Sequence, residues 1–232
     1  MDARTNGTGT RRASPAMPLS RARIIAAAAR VADRGGLDSV SMRTVAKELD
    51  VEAMSLYHHV TNKDALLDGL ADWVAAQFYR PKTDVGWRVE MTKRANSLRA
   101  VLSSHPWGLG MIESRSNAGD ALLRHHDAVL GSLLTVFPLR MAAHAFSILD
   151  AYIYGFVLTE VNLPFAPGEG HENEMAEQLV PDMAGLPHLR RMATELMATG
   201  EYSFTAEFEA GLDLILDGLE RHTGGSRSEG TS

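Results

Sequence analysis

Apolar residues recur three and four positions apart through most of the chain, which is the spacing of one face of an α-helix. No convincing run of alternating β-branched residues, the pattern of a half-buried strand, interrupts it. In the first helix, Ser20 is placed to cap the start and Gly35-Gly36 to end it. Its apolar stripe consists of Ile24, Ile25, Ala28, Val31 and Ala32. The pattern predicts an all-α protein.

Two short helices follow, joined by a tight turn. Ser41 is placed to cap the second helix, and the third runs from about Met54 to Val60, so three or four residues separate them. The small Ala46 allows the two helices to approach closely. The apolar wedge between them is predicted to contain Val45, Leu49, Val51, Leu56 and Val60. Such a pair lets its second helix enter the major groove of DNA while the first crosses above it.

The rest of the chain continues the helical pattern. Asn62 is placed to cap a long fourth helix that reaches Phe78, and Pro81 prevents it from continuing. Further helices are predicted over Trp87–Ser103, Trp107–Ser114, Gly119–Val136, Leu139–Asn162, Leu186–Thr199 and Phe204–Arg221, with prolines at several first turns. The segment LPFAPGEGHENE, which starts at Leu163, is predicted to be a mobile loop. The total is about nine or ten helices.

Composition divides the chain into a small head and a larger body. The N-terminal arm is rich in Gly, Thr, Ser and Arg and has too few large apolar residues to fold. Its Arg4, Arg11 and Arg12 would lie along a phosphate backbone or simply keep the arm soluble. The predicted parts are a disordered arm over 1–18, a helix-turn-helix domain over 19–66, a helical body over 67–223 and a disordered tail over 224–232.

Charge is distributed unevenly along the chain. The net charge of −6 divides into +3 over residues 1–67 and −9 over residues 68–232. A basic head can therefore approach phosphates while the acidic body faces away. The absence of cysteine excludes disulfides, thiol nucleophiles and Cys-based zinc sites. The N-terminus lacks the apolar centre of a signal peptide, and the expected location is the cytoplasm, with no membrane partner.

The segment GLDSVSMRTVAKELDVEAMSLYHHVTNKDALLDGL resembles the DNA-binding domain of the TetR family of bacterial transcription regulators. The resemblance covers roughly residues 20–70. It rests on the tight turn, on the Leu56-Tyr57 pair in the recognition helix, and on Lys63 after it. Asp50 stands in the turn where the family often has glycine, so a left-handed backbone there would be slightly strained.

The resemblance implies which residues face DNA. Arg43 would point from the second helix toward a base or a phosphate, and the less favoured alternative is an ordinary surface arginine. His58 is the candidate for operator preference, or a solvated bystander. His58 and His59 lie about 100° apart on a helix, an arrangement that suits a metal ion poorly, and no metal is predicted. The implied DNA contacts are Arg43, Thr44, Ala53, Met54, Ser55, Tyr57, His58, His59 and Lys63.

The body resembles the effector domains of tetracycline-repressor-like proteins through LRAVLSSHPWG, YIYGFVL and FEAGLDLILDGLE. This implies that residues 67–223 bind a small-molecule effector and dimerise. The homodimer would form through the helices Leu139–Asn162 and Phe204–Arg221, unless both stripes are purely intrachain core. The implied function is a repressor that binds a palindromic double-stranded DNA operator and is released by its effector, with activation as the less common outcome.

The effector pocket is predicted only by position. Ungapped matching to the tetracycline sensors places Ile112, Arg115, Tyr79, Arg94 and Leu98 where those proteins hold a magnesium-chelated drug. These side chains do not suit that complex, so the magnesium site is expected to be absent and no cofactor is predicted. The candidates, which could instead be ordinary core or surface residues, are Tyr79, Arg94, Leu98, Trp107, Met111, Ile112, Arg115, His126, Tyr152 and Phe156. They would suit a mostly apolar molecule that carries an acidic group.

Two other classes of protein remain open at this stage. An enzyme would use either the run from Arg124 to Asp127, RHHD, or Glu113 with His144 as acid, base or metal ligands. The chain contains no HExxH pattern, glycine-rich phosphate loop or nucleophile elbow, and RHHD fits an exposed helix face. The second alternative is a dimeric helical adaptor whose head contacts protein rather than DNA.

Overall fold

The computed structural model describes residues 18–114, 119–164, 171–197 and 202–223. Every regular element within these ranges is helical, as predicted, and there are eleven α-helices. They are α1 Arg21–Gly35, α2 Met42–Leu49, α3 Ala53–Tyr57, α4 Lys63–Ala75, α5 Trp87–Ser104, α6 Trp107–Ser114, α7 Asp120–Leu134, α8 Leu139–Val161, α9 His171–Leu179, α10 Pro187–Met192 and α11 Phe204–Glu220. The predicted arm, apart from its last residue, and the predicted tail lie outside the described residues.

Helix α1 organises the head by packing against α2 and α4. The hydroxyl of Ser20 accepts the backbone N–H of Arg23 at 3.3 Å, which confirms the predicted cap. Gly36 ends the helix with a φ of 69°, a conformation that suits glycine. The predicted stripe is correct, since Ile24 and Ala28 are fully buried. Burial of this stripe holds α1 against α2 and α4.

The tight turn between α2 and α3 is also as predicted. Ser41 caps α2 reciprocally with Thr44, each side chain accepting the other's backbone N–H. Asp50 has a φ of 55° and a ψ of 48°, the left-handed conformation anticipated where the family has glycine. Among the wedge residues, Val45 and Leu56 are fully buried. The turn and the wedge together fix the angle at which α3 leaves α2.

Helix α8 is the central helix of the body and packs against α5, α7 and α11. By length and composition alone it could cross a membrane, with a mean hydropathy of 1.4 in its most apolar window. Its two acidic residues argue for a core helix instead. Asp150 pairs with Arg94 and Glu160 pairs with Arg99, and both arginines lie on α5. These ion pairs place one face of α8 inside the body.

Three predicted boundaries were wrong. Helix α4 ends at Ala75 rather than Phe78, although Phe78 is still buried by the turn that follows. Helix α3 ends at Tyr57 rather than near Val60. Helix α9 begins at His171, inside the predicted loop, because the HENEMAEQL segment consists largely of good helix formers. Apolar periodicity marks which residues are buried, and both turns and helices can bury them.

Residues 171–197 form a small unit with a core of its own. Met183 and Ala193 are buried there, with Val180 and Met197 packed around them. The predicted Leu186–Thr199 helix is divided into α10 and a π-helical turn over Ala193–Met197. The segment from Leu186 to Met197 leaves four large apolar side chains exposed, namely Leu186, Leu189, Met192 and Leu196.

Candidate DNA-binding surface and effector region

The predicted DNA contacts lie on one continuous stretch of the head. Helix α2 exposes Arg43, and α3 exposes Met54, which keeps 72% of its surface accessible. Tyr57, His58 and His59 are exposed around the end of α3, and Lys63 is exposed as the first residue of α4. Ala53 and Ser55 are half-buried. The set therefore spans α2, α3, the turn after α3 and the start of α4, and two of its members are only partly exposed.

Buried residues on the opposite side hold this surface in place. Leu56 is fully buried, and its carbonyl accepts the backbone N–H groups of His59 and Val60 at 2.9 Å. The N–H of Val51 donates to the carbonyl of Ala46 at 3.0 Å, which closes the turn. The anchor at Leu56 therefore leaves its neighbour Tyr57 exposed, while Ser55 stays half-buried.

Some cations of the head are already paired with a carboxylate, and others are not. The carboxylate of Glu48 on α2 binds Arg30 and Arg34 of α1, and these bonds lower the pKa of Glu48. Arg43, Lys47 and Lys63 form no ion pair with any other residue that the structure describes. These three cations are available to the DNA backbone.

Thr44 has a structural role that the sequence analysis did not assign. Its hydroxyl donates to the carbonyl of Ser39 at 2.8 Å and accepts the backbone N–H of Ser41 at 2.9 Å. Because these bonds engage the hydroxyl, its first role is to fix the start of α2. The spacing from Ser41 to Thr44 is that of a capping box, but Thr44 stands where Glu or Gln is usual, so the signal in the sequence was weak.

The effector candidates do not converge on one cavity. Tyr79 donates a hydrogen bond of 2.8 Å to Glu90, which holds the loop before α5. Leu98 and Met111 are buried in the core, and Ile112 packs against it. Tyr152 and Phe156 belong to an aromatic cluster with Phe208. Trp107 lies at the boundary with the head, and Arg115 lies outside the described residues.

Arg94 and His126 belong to a buried polar centre between α5, α7 and α8. The guanidinium of Arg94 is fully buried, pairs with Asp150, and lies over the ring of Phe146 with 5.7 Å to its centroid. Its Nε donates to Nε2 of His125 at 3.2 Å. His126 meets the edge of Phe146, with 5.2 Å between ring centroids. An arginine buried in a helical core is costly unless it is paired, so this centre is a strong candidate for a functional role.

His125 corrects the interpretation of the RHHD run as an exposed helix face. Its side chain is fully buried, and burial, with the nearby Arg94 charge, lowers its pKa from 6.5 to about 3. The imidazole is therefore neutral and accepts from Arg94. Arg124, in contrast, is exposed and pairs with Asp120 at 2.7 Å. The residues of the run point to different sides of α7 and perform separate tasks.

A groove of about 340 Å³ lies between α6 and α8. Its walls are almost entirely apolar or small, with Leu109, Gly110, Ala151, Tyr154, Gly155 and Leu158. None of these residues was among the predicted effector contacts. Helix α6 is short, and only the tertiary structure shows that it runs beside α8.

Helices α8 and α11 also present a second apolar face to solvent. On α8 it includes Ile148 and Leu158, which lie on the opposite side of the helix from the buried Leu149, Ile153 and Val157. On α11, Leu214 is 72% exposed beside Ile215 and Gly218, and a groove of about 300 Å³ separates the two helices. These are the two helices predicted to dimerise. An exposed apolar face of this kind marks an interaction surface.

Two family models match the chain. The model described as bacterial regulatory proteins, tetR family, matches residues 24–70, and the model described as tetracyclin repressor-like, C-terminal domain, matches residues 80–223. The first covers the head with its helix-turn-helix surface. The second covers most of the body.

Curated relatives and solved structures are similar over most of their length. An HTH-type transcriptional regulator from Saccharopolyspora erythraea is 29% identical, with 89% of this chain and 86% of that protein aligned. The tetracycline repressor protein class A of Escherichia coli is 30% identical over 85% of this chain and 89% of its own. The Streptomyces coelicolor TetR family protein ActR, in complex with actinorhodin, superposes with a TM-score of 0.71 at 26% identity, covering 89% and 99% of the two chains.

Proposed function

The chain belongs to the TetR family of ligand-responsive, DNA-binding transcription regulators, and on that premise we propose that it is a repressor whose homodimer binds a palindromic operator. The observation that carries the proposal is the one-sided head: Leu56 is buried while Arg43, Met54, Tyr57 and Lys63 face solvent together. A helix pair anchored on one side and polar on the other fits the major groove.

Within the head, the roles follow from chemistry. Arg43 has an unpaired guanidinium fork that matches the two acceptors of guanine. Lys63 and the hydroxyl of Tyr57 bind phosphates and set the position of α3 on the duplex. Met54 supplies an apolar contact of the kind that thymine methyl groups accept. His58 contributes to operator preference.

The dimer forms through the exposed apolar face of α8 and α11. Ile148 and Leu214 would otherwise remain in water, and Gly218 beside them lets a second helix approach closely. A four-helix seam between two copies removes this surface from solvent. A palindromic operator requires such a twofold dimer, because each half-site takes one head.

The effector binds in the body and carries an acceptor or acidic oxygen. The guanidinium nitrogen Nη1 of Arg94 is buried without a hydrogen-bond partner, so a ligand oxygen would satisfy it. Phe146 and His126 supply aromatic walls beside it. The similar protein ActR binds actinorhodin in its crystal structure, which supports a small-molecule effector here. An effector that prefers a body with differently spaced heads must weaken operator binding by the same factor.

The proposal is regulatory and not catalytic, and its setting is the cytoplasm. Arg124 is engaged by Asp120, and His125 is a neutral partner of Arg94, so the RHHD run does not assemble an acid-base pair. These assignments favour regulation over the enzyme alternative. The apolar face of α8 is assigned to a partner helix and not to a membrane.

The test is DNA binding by Arg43→Ala. Full-length protein is footprinted on the region upstream of its own gene, and binding of the protected duplex is titrated at several salt concentrations. Loss of one phosphate or base contact is expected to weaken binding by about 1–3 kcal/mol, roughly five- to 150-fold. Arg190→Ala is the matched control, because Arg190 is an exposed arginine on α10, outside both the head and the proposed dimer face. Equal binding by both variants, or binding indifferent to salt, would count against the regulator and favour an adaptor.

A further inference from the structure

Helix α1 of the head is fastened to the start of α6 by one carboxylate. The Oδ1 atom of Asp33 accepts hydrogen bonds from Nδ1 of His105 and from Nε1 of Trp107, each 2.7 Å long. His105 is the C-cap residue of α5, two positions before α6, and Trp107 is the first residue of α6. A single atom of the head therefore holds two donors of the body.

Helix α4 begins in the head at Lys63 and continues past the predicted boundary at residue 66, and it is fastened to the start of α7 in the same way. The Oδ1 atom of Asp72 accepts the backbone N–H of Ala121 at 2.7 Å. Gly119 occupies the N-cap position of α7 and supplies no side chain for capping. A Cβ atom at Gly119 would lie 2.3 Å from Oδ1 of Asp72, so the glycine makes room for a cap supplied by another helix. Asp72 replaces the missing N-cap side chain.

The space between these two contacts is closely packed. The ring of Trp73 on α4 meets His105 edge-on, with 5.1 Å between centroids, and stacks on Trp107 at 6.5 Å. A Cβ atom at Gly108 would lie 3.2 Å from the side chain of Val74, so α6 and α4 are already close. Rotation of the head on the body would have to break a hydrogen bond or open this packing.

We infer that Asp33 and Asp72 are positioning residues that set the angle of the head on the body, and thereby the half-site spacing that the protein accepts. Neither residue belongs to the predicted DNA contacts. Their effect is exerted through the starts of α6 and α7, the helices that adjoin the groove and the Arg94 centre. The inference rests on the proposed homodimer, because one head has no spacing to measure.

The same geometry links the effector region to the head. Leu109 and Gly110 line the groove beside α8 and lie two and three residues after Trp107. A ligand that shifts α6 along this groove would move Trp107, whose N–H group donates to Asp33. His125, which bonds Arg94, lies one helical turn after Ala121 on α7. Both aspartates thus lie at contacts through which a shift of α6 or α7 would be transmitted to α1 and α4.

The experiment measures spacing preference. Full-length protein selects a palindromic duplex from a randomised pool, and duplexes are then made with one or two base pairs inserted or removed at the centre. Each base pair turns one half-site by about 34–36° relative to the other, since a helical turn contains about 10–10.5 base pairs. We expect the unmodified chain to bind the two-base-pair insertion at least about tenfold more weakly, the equivalent of about 1.4 kcal/mol.

Asp33→Ala and Asp72→Ala are each expected to reduce the discrimination between the two spacings at least threefold. The affinity of either variant for a duplex with a single half-site should stay the same. Glu48→Ala is the matched control, because Glu48 also binds two donors of α1 but only within the head. A carboxylate that merely stabilises the fold would change thermal stability without changing spacing preference. Should Asp72→Ala fail to fold, Asp33→Ala decides the question.

The possible results separate the two proposals. Full discrimination by both aspartate variants overturns the inference and leaves the homodimeric regulator intact. Relaxed spacing in Glu48→Ala as well overturns it too, because general loosening of the head would then explain the effect. A chain that binds no two-half-site duplex, or binds all spacings equally, contradicts the proposed homodimer, and the inference falls with it.

Discussion

The hydroxyl of Tyr152 on α8 donates a hydrogen bond of 2.8 Å to the backbone carbonyl of Phe208 on α11. The two rings also stack, with 5.5 Å between their centroids. Gly211 makes this contact possible, because a Cβ atom there would lie 2.4 Å from the Tyr152 hydroxyl oxygen. The two helices assigned to the dimer interface are thus held together by contacts within one subunit.

Gly211→Ala is expected to lower the thermal midpoint, although alanine favours a helix over glycine by up to about 1 kcal/mol. The added methyl group must displace the Tyr152 ring and break its hydrogen bond to Phe208. Gly110→Ala is the control, since a Cβ atom there meets nothing within 4 Å. Thermal unfolding followed by circular dichroism measures both. An unchanged or raised midpoint in Gly211→Ala would show that the contact is easily rearranged.

Asp150→Ala is expected to destabilise the fold by about 3 kcal/mol, because it leaves the buried guanidinium of Arg94 without a counter-ion. The double variant Arg94→Met and Asp150→Leu is expected to recover most of that loss, since it removes both charges and retains apolar volume. Urea unfolding of the two variants and the unmodified chain measures the difference. A double variant as unstable as Asp150→Ala would show that the charges themselves are not the cause.

Acid should destabilise the protein through His125. The unfolded chain binds a proton near pH 6.5, whereas the folded chain does not until its pKa of about 3. Between these values the unfolded state holds one more proton, so the free energy of unfolding falls as the pH falls, by up to about 1.4 kcal/mol per pH unit. Above pH 6.5 this group contributes no slope.

His125→Gln provides the comparison, because glutamine accepts from Arg94 without titrating. Its free energy of unfolding should fall less than that of the unmodified chain between about pH 6.5 and 5. Glu90 does not interfere in this window, since hydrogen bonds, with Lys93 first, lower its pKa from 4.5 to about 2. If the free energy of unfolding fell equally with pH in both proteins, His125 would not be the group responsible for the acid destabilisation.

Leu214→Glu is expected to give a monomer that binds its operator far more weakly. Leu214 is 72% exposed at the centre of the proposed dimer face, and a buried carboxylate there would be unpaired. Leu123→Glu is the control, because Leu123 is an exposed leucine on α7. Sedimentation velocity and operator titration measure the two effects. A dimeric Leu214→Glu protein would move the interface elsewhere.

Asp50→Gly is expected to stabilise the head by up to about 1 kcal/mol, because glycine adopts the left-handed conformation without a Cβ penalty. Asp50→Val is expected to lower stability, since a β-branched residue tolerates that conformation poorly. Thermal midpoints of both variants measure the change. Equal midpoints would indicate that the turn relaxes when its residue is replaced.

Local pattern was sufficient for the head. Ser20, Ser41 and Asn62 cap helices as predicted, because a capping side chain acts on the backbone only three residues away. The wedge residues Val45 and Leu56 were also identified, since helical spacing within twenty residues decides which side they face. The family resemblance rests on the same short segment.

The body depended on contacts between distant parts of the chain. His125 was assigned to an exposed face, yet it lies buried against Arg94, thirty-one positions away. Asp72 caps α7 from forty-nine positions away, and no local pattern indicates it. The nine effector candidates that the structure describes lie in separate parts of the body, because helix periodicity fixes a face but not the helix that covers it.

The sequence by itself determined the helical class, the caps and the outward face of the recognition helix, because each depends on spacing within a few turns. Only the tertiary structure decided that Asp33 and Asp72 join the head to the body, and that α6 lies beside α8. Hydrogen bonds and packing between helices depend on how rigid rods are arranged in space, and the order of residues along one rod does not contain that arrangement.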